Sequence, residues 1–108
     1  MKGKFRVLEL AIEFHRESQE LRMKAYLKSQ LERASSSVAL NLSEGNARQA
    51  TKDRRRFFVI AYSSLKEAET ALKLAGVDSQ RLFSLADHLG GSINKLIKMY
   101  MKLKNKIK

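Results

Sequence analysis

Residues 30–75 read QLERASSSVALNLSEGNARQATKDRRRFFVIAYSSLKEAETALKLA, and this block decides the fold. Leu27, Leu31, Ala34, Val38 and Leu42 recur at helical spacing up to Glu44-Gly45, where glycine offers the left-handed residue that commonly closes a helix. A polar loop follows over 46–50. Thr51 or Lys52-Asp53 opens the next helix, with Asp53 in the first turn, where a carboxylate complements the helix dipole. Phe58, Ala61, Leu65, Ala68, Leu72 and Ala75 then advance by alternating threes and fours, the rhythm of a heptad seam, with Phe57, Ser64 and Ala71 beside it. Alanine and serine on such a face let a neighbouring helix approach closely. The spacing therefore predicts a second helix over 27–44 and a third over 52–75, hinged at Glu44-Gly45.

The same reading extends to both ends. A first helix is expected over 4–22, with Phe5, Leu8, Ile12 and His15 on one stripe and Val7, Ala11, Phe14, Ser18 and Leu21 on an adjacent one. Residues 23–26 form the turn after it. Gly76 ends the third helix, and Asp78 or Ser79 caps a fourth. Its stripe runs through Leu82, Leu85, Leu89, Ser92, Leu96, Met99 and Leu103 before fraying into a lysine tail. Gly90-Gly91 falls inside this helix, at a cost of about 1 kcal/mol per glycine relative to alanine, and marks a kink or a close crossing. Four such helices joined by short turns predict an all-α, antiparallel, up-down-up-down bundle, one domain over 1–108 with a short basic C-terminal tail.

Composition narrows the class. The 108 residues contain no proline, no cysteine and only five glycines, so disulfides and thiolate metal sites are excluded. No window approaches the roughly 18 apolar residues of a membrane span. The basic N-terminus is followed by Glu9, Glu13 and Glu17 rather than an apolar secretory core, so a soluble, cytoplasmic protein is expected. The net charge is +11 and it is concentrated. Residues 48–56 hold five basic residues against one acid, residues 95–108 hold six lysines and no acid, and the remaining chain is nearly neutral. Two patches of this kind suit a polyanion, or alternatively keep an oligomer in solution.

Phe57 to Tyr62 is a run of six apolar or aromatic residues, enough to cover the circumference of a helix. A helix apolar all round is buried on more than one side. Leu40 also points away from the second helix's seam. A lone bundle cannot cover all of this, so self-association is expected, with Leu40, Phe57, Val59 and Tyr62 at the interface.

Arg48, Lys52, Arg54, Arg55 and Arg56 surround the start of the third helix, where guanidinium forks and free backbone N–H groups suit phosphate. Successive arginines diverge by about 100°, so they spread over a groove rather than grip one phosphate. The alternative is that one of them pairs with Glu44. Lys95, Lys98 and Lys102 share a stripe of the fourth helix, either as nucleic-acid ligands or as complements to the helix dipole. Gln30, Arg33, Ser37, Asn41 and Glu44 make the second helix unusually polar. Asn41 falls on its seam, where one buried amide fixes register. Arg81 and His88, seven apart on one helical face, resemble the active-site motif of the HEPN ribonucleases, although Leu82 stands where those enzymes usually carry a polar residue. His15 reads as a packed or rim histidine. No phosphate-cradling glycine loop, nucleophile elbow or metal cluster is present in the sequence, and no cofactor is expected.

The block over 29–75, above all RASSSVALNLSEG, resembles the four-helix-bundle family encoded within intervening sequences of bacterial 23S ribosomal RNA genes. That family is similar in turn to the accessory protein of diversity-generating retroelements. The resemblance implies a homopentameric ring and association with 23S ribosomal RNA or, in the retroelement branch, with a reverse transcriptase and its template RNA; no catalysis is expected, because no catalytic constellation is found among the residues. It assigns Arg48, Asp53, Arg54, Arg55 and Arg56 to a basic loop-helix junction. Gln30, Arg33, Ser37, Asn41, Glu44, Gly45 and Asp53 become a structural motif. The function expected is a basic oligomer that binds structured RNA through phosphate contacts. An interaction scaffold for a protein partner is the alternative, and a ribonuclease using Arg81 and His88 the remote one.

Overall fold

The computed structural model describes residues 5–107, with side chains as far as Lys102. Lys4 and the side chains of Leu103, Lys104, Lys106 and Lys108 lie outside the described residues. Four helices make up the fold: α1 (Arg6–Gln19), α2 (Ala25–Ala47), α3 (Thr51–Leu74) and α4 (Gln80–Ile107). No strand occurs among the described residues. Each helix packs on its neighbours in sequence and α1 closes on α4. None of the described helices is long and apolar enough to cross a membrane.

One cluster of buried side chains draws on all four helices. The second of the two stripes expected on α1 is the buried one, through Val7, Ala11, Phe14 and Ser18, while Ile12 of the first stripe is exposed. On α3 the heptad seam is buried from Phe58 to Leu72, with Ser64 and Ala71 beside it. On α4 the inward stripe differs from the expected one after Leu89. It passes through Ala86, Leu89 and Ile93 and then the half-buried Leu96, Ile97 and Tyr100, leaving Met99 exposed. Tyr100 and Phe5 both pack tilted against Phe58, at centroid distances of 5.7 and 6.1 Å, so rings from α3, α4 and the residue that precedes α1 fill this end of the core.

The three joints close in two ways, by local caps or by a basic side chain that reaches helix-end carbonyls. At the end of α3, Gly76 takes φ +71°, the Val77 N–H donates to the Leu72 carbonyl and the Gly76 N–H to the Lys73 carbonyl, a Schellman motif as its glycine predicts. The Ser79 hydroxyl then accepts from the Leu82 N–H at 3.2 Å and caps α4. After α1, Lys28 of α2 donates its ammonium to the carbonyls of Gln19 and Leu21. After α2, Arg54 of α3 does the equivalent.

Gly45 corrects the sequence reading. It is not a left-handed terminus but a buried residue inside α2, which continues to Ala47. A Cβ on Gly45 would stand 2.7 Å from Phe58 Cε1 and 3.1 Å from Phe57 Cβ. Its missing side chain lets the start of α3 approach the end of α2. Gly90 is likewise buried in a continuous α4, facing Leu65, where a Cβ would make ordinary contact at 3.4 Å; Gly91 faces open space.

Candidate nucleic-acid interface

The cations of the α2–α3 junction are largely occupied by the protein itself. Arg54 is half-buried; its Nε donates to the Arg48 carbonyl at 2.6 Å, Nη2 to the Asn46 carbonyl at 2.9 Å, and Nη1 to the Tyr100 hydroxyl. Its guanidinium also lies over the Tyr100 ring, 5.4 Å from the centroid. The fork thus satisfies carbonyls left open by the end of α2 and ties that end to α4. Arg48 pairs with Glu44, as the alternative reading of the cluster expects, at 2.8 Å. Arg48 and Arg56 flank the Phe57 ring at 4.9 and 4.5 Å, so Phe57 is half-buried between two guanidinium groups. Arg55 is half-buried, with its Nε enclosed and without a hydrogen-bond partner. Lys52 is exposed, and Asp53 sits in the first turn of α3.

The second patch is different. Lys95, Lys98 and Lys102 are all exposed along one face of α4, and none has an ion-pair partner among the described residues. With Met99 they line a shallow groove of about 340 Å³. Lysine on a helix face is a hydrated, mobile point charge, suited to phosphates whose exact positions vary.

A protein-family model described as 23S rRNA-intervening sequence protein matches residues 4–103. The chain belongs to that family. Comparison with curated proteins and with solved structures finds no match. The matched residues take in α1, α2, α3 and α4 as far as residue 103.

The stretch that carries the resemblance to the intervening-sequence family is mainly a packing device. Ser37 and Ser64 join α2 to α3 through a 2.8 Å hydroxyl contact. Asn41 is half-buried and donates back to the Ser37 carbonyl and hydroxyl at 2.9 and 3.0 Å. It therefore acts along its own helix, orienting Ser37, rather than pairing directly across the bundle as its seam position suggests. Arg33 donates to Gln30 at 2.6 Å and lies 3.7 Å from Glu67 of α3, on the surface. His15 packs at the rim, its Nδ1 2.7 Å from the Ser35 hydroxyl and its Nε2 accepting from Gln19 at 3.3 Å.

Arg81 is held bidentately by Glu17 of α1, at 2.9 and 2.8 Å, and reaches Glu13 at 3.2 Å. The hydrogen bonds from Arg81 hold the Glu17 carboxyl below its usual range, and Glu17 in turn raises Arg81. Through these contacts Arg81 docks α4 on α1, and no hydrogen bond among the described residues joins it to the exposed His88. No group of acidic or histidine side chains among the described residues is placed to hold a metal.

Sequence reasoning missed Tyr100 as the partner of Arg54 and Lys28 as the closure of α1. The signal for Tyr100 was present in the steps from Leu89 to Ile93, Leu96 and Tyr100, which compete with the path through Met99 to Leu103. Lys28 left no signal, because one lysine among many gives no sign of the carbonyl it meets.

Proposed function

We propose that this chain is a non-enzymatic, cytoplasmic, ring-forming helical bundle that binds structured RNA through phosphate contacts. The observation that carries the reading is the exposed row Lys95, Lys98 and Lys102, unpaired among the described residues, in a protein of net charge +11. Membership of the 23S rRNA-intervening sequence family supports RNA as the polyanion. An up-down-up-down course is part of the proposal. It is supported by the pairing of Arg33 with Glu67, Ser37 with Ser64 and Gly45 with Phe58, which runs α2 and α3 in opposite directions.

The ring, in the form of a homopentamer, would be built on the α2–α3 face. Leu40 and Leu74 are 68% and 70% exposed, and Val59 and Ile60 stand out from the seam. Between the two helices a groove of about 610 Å³ is lined by Leu27, Tyr62, Ala71 and Leu74. Lys66 at its edge is raised above its usual range by the hydrogen bond to Glu69, so this pair adds little net charge to an apolar contact. The same apolar face supports the second reading, a scaffold for a protein partner such as a reverse transcriptase.

Binding of a structured RNA across a salt series tests the proposal. Tight binding whose logarithm falls steeply with the logarithm of salt, by roughly 0.9 per phosphate neutralised on a duplex, is expected. Weak binding at physiological salt with a flat slope would leave the scaffold. Light scattering on Leu40→Glu and Leu74→Glu tests the ring: the wild type should be oligomeric and the variants smaller.

A further inference from the structure

A second cleft, of about 300 Å³, lies between the start of α1 and the middle of α4. Its apolar surface comes from Phe5, Leu10 and Leu96, and its polar surface from Arg6, His88, Ser92 and Lys95. No carboxylate among the described residues lines it. We propose that this cleft receives one unstacked nucleotide from a single-stranded segment of RNA. The inference rests on the RNA reading above and names the element of the RNA that this face recognises.

The chemistry of the lining selects the occupant. A surface that only gathers phosphates has no use for an apolar floor. A purely apolar partner would not be served by a rim carrying two cations and an imidazole. A nucleotide joins the two requirements, with a flat apolar base, hydrogen-bonding edges and an anionic phosphate. The volume lies at the lower end of small-ligand sites, which suits one nucleotide rather than a folded segment. His88 can donate or accept at a base edge and the Ser92 hydroxyl can do both, which suits a base of either polarity. Among the described residues Arg6 is paired only with Glu9, at 3.5 Å, and its side chain is exposed, so turning it toward phosphate disrupts a weak surface contact.

Continuity with the lysine row strengthens the case. Lys95 lines both this cleft and the groove it shares with Lys98 and Lys102. A strand whose phosphates follow these lysines over about 10 Å of helix arrives at the cleft mouth. Unpaired loops and bulges supply bases free to enter it, whereas the bases of a duplex are stacked and paired. His88, left without a role once Arg81 is committed to Glu13 and Glu17, becomes a base-contacting residue.

The test compares a short single-stranded oligoribonucleotide with an RNA duplex, using the full chain, by fluorescence anisotropy. Ser92→Trp fills the cleft and His88→Ala removes its imidazole from an exposed position. Both should weaken single-strand binding, Ser92→Trp by about tenfold as expected for the loss of one base contact, and leave duplex binding unchanged. Retained duplex binding also shows that each variant is folded. A 4-thiouridine in the single strand should crosslink to peptides spanning 5–10 or 88–96. If wild type binds both RNAs and neither variant distinguishes them, the cleft proposal is overturned and phosphate binding stands. If wild type binds neither RNA, the RNA reading fails and the cleft proposal with it.

Discussion

The α2–α3 junction and the C-terminal part of the chain from Lys95 carry nearly all of the net positive charge and use it in opposite ways. At the junction most of the guanidinium groups are engaged by the protein itself. Arg54 is fixed on two carbonyls and the Tyr100 hydroxyl, Arg48 on Glu44, and Arg48 and Arg56 on the faces of Phe57. On α4, Lys95, Lys98 and Lys102 stand in solvent without partners among the described residues. Arginine suits the first task because its planar fork meets several acceptors and aromatic faces at once, while an ammonium group prefers its hydration shell. A cluster of basic residues in sequence is therefore not by itself a ligand surface. What matters is how many of its donors the fold has already used.

This comparison can be broken at its strongest point. Arg54→Ala should lower the unfolding free energy by about 2 kcal/mol in a urea titration, since several charge-assisted hydrogen bonds are lost and two carbonyls are left open. Its effect on the salt slope of RNA binding should be small. Unchanged stability with a flattened slope would reverse the assignment of the two patches. Gly45→Ala sharpens the structural half. Overpacking against Phe57 and Phe58 costs about 1–3 kcal/mol, offset by about 1 kcal/mol of helix propensity. A net loss of about 1 kcal/mol is expected, and a more stable variant would contradict the close approach of α2 and α3.

Smaller effects follow. Arg56→Ala removes an exposed guanidinium from Phe57 and should cost about 0.5 kcal/mol, whereas Lys98→Ala, which touches no partner, should leave stability unchanged. The smallest effect concerns Glu17 and Arg81. Because Arg81 lowers the Glu17 pKa in the folded state, the pair stabilises at pH above the ordinary carboxylate value, and that contribution disappears as pH falls through the lowered one. Glu17→Gln should slightly reduce stability at neutral pH and remove that part of the acid dependence. Superimposable pH–stability curves for variant and wild type would show that the contact is structurally silent.

The helices were legible because apolar spacing on α3 is regular and because Gly76 and Ser79 do what their local chemistry favours. Gly45 shows where local reading stops. A glycine after a polar run looks like a helix end, but Phe58, thirteen residues later, needs the space its side chain would fill. The path of α4 beyond Leu89 was ambiguous for a related reason: two apolar stripes exist, and contact with Phe58 and Arg54 selects the one containing Tyr100. Within the candidate site, the positions of the cations could be read from the sequence but their availability could not. Availability depends on carbonyls and rings brought in from other helices.

The most direct test of the account is the salt dependence of RNA affinity for wild type beside two triple variants, Lys95/Lys98/Lys102→Ala and Arg54/Arg55/Arg56→Ala. The lysine variant should lose roughly hundredfold in affinity at physiological salt, with its slope reduced by about 2–3. The arginine variant, compared under conditions where it remains folded, should keep most of the wild-type slope. A slope that collapses in the arginine variant and persists in the lysine variant would contradict the account.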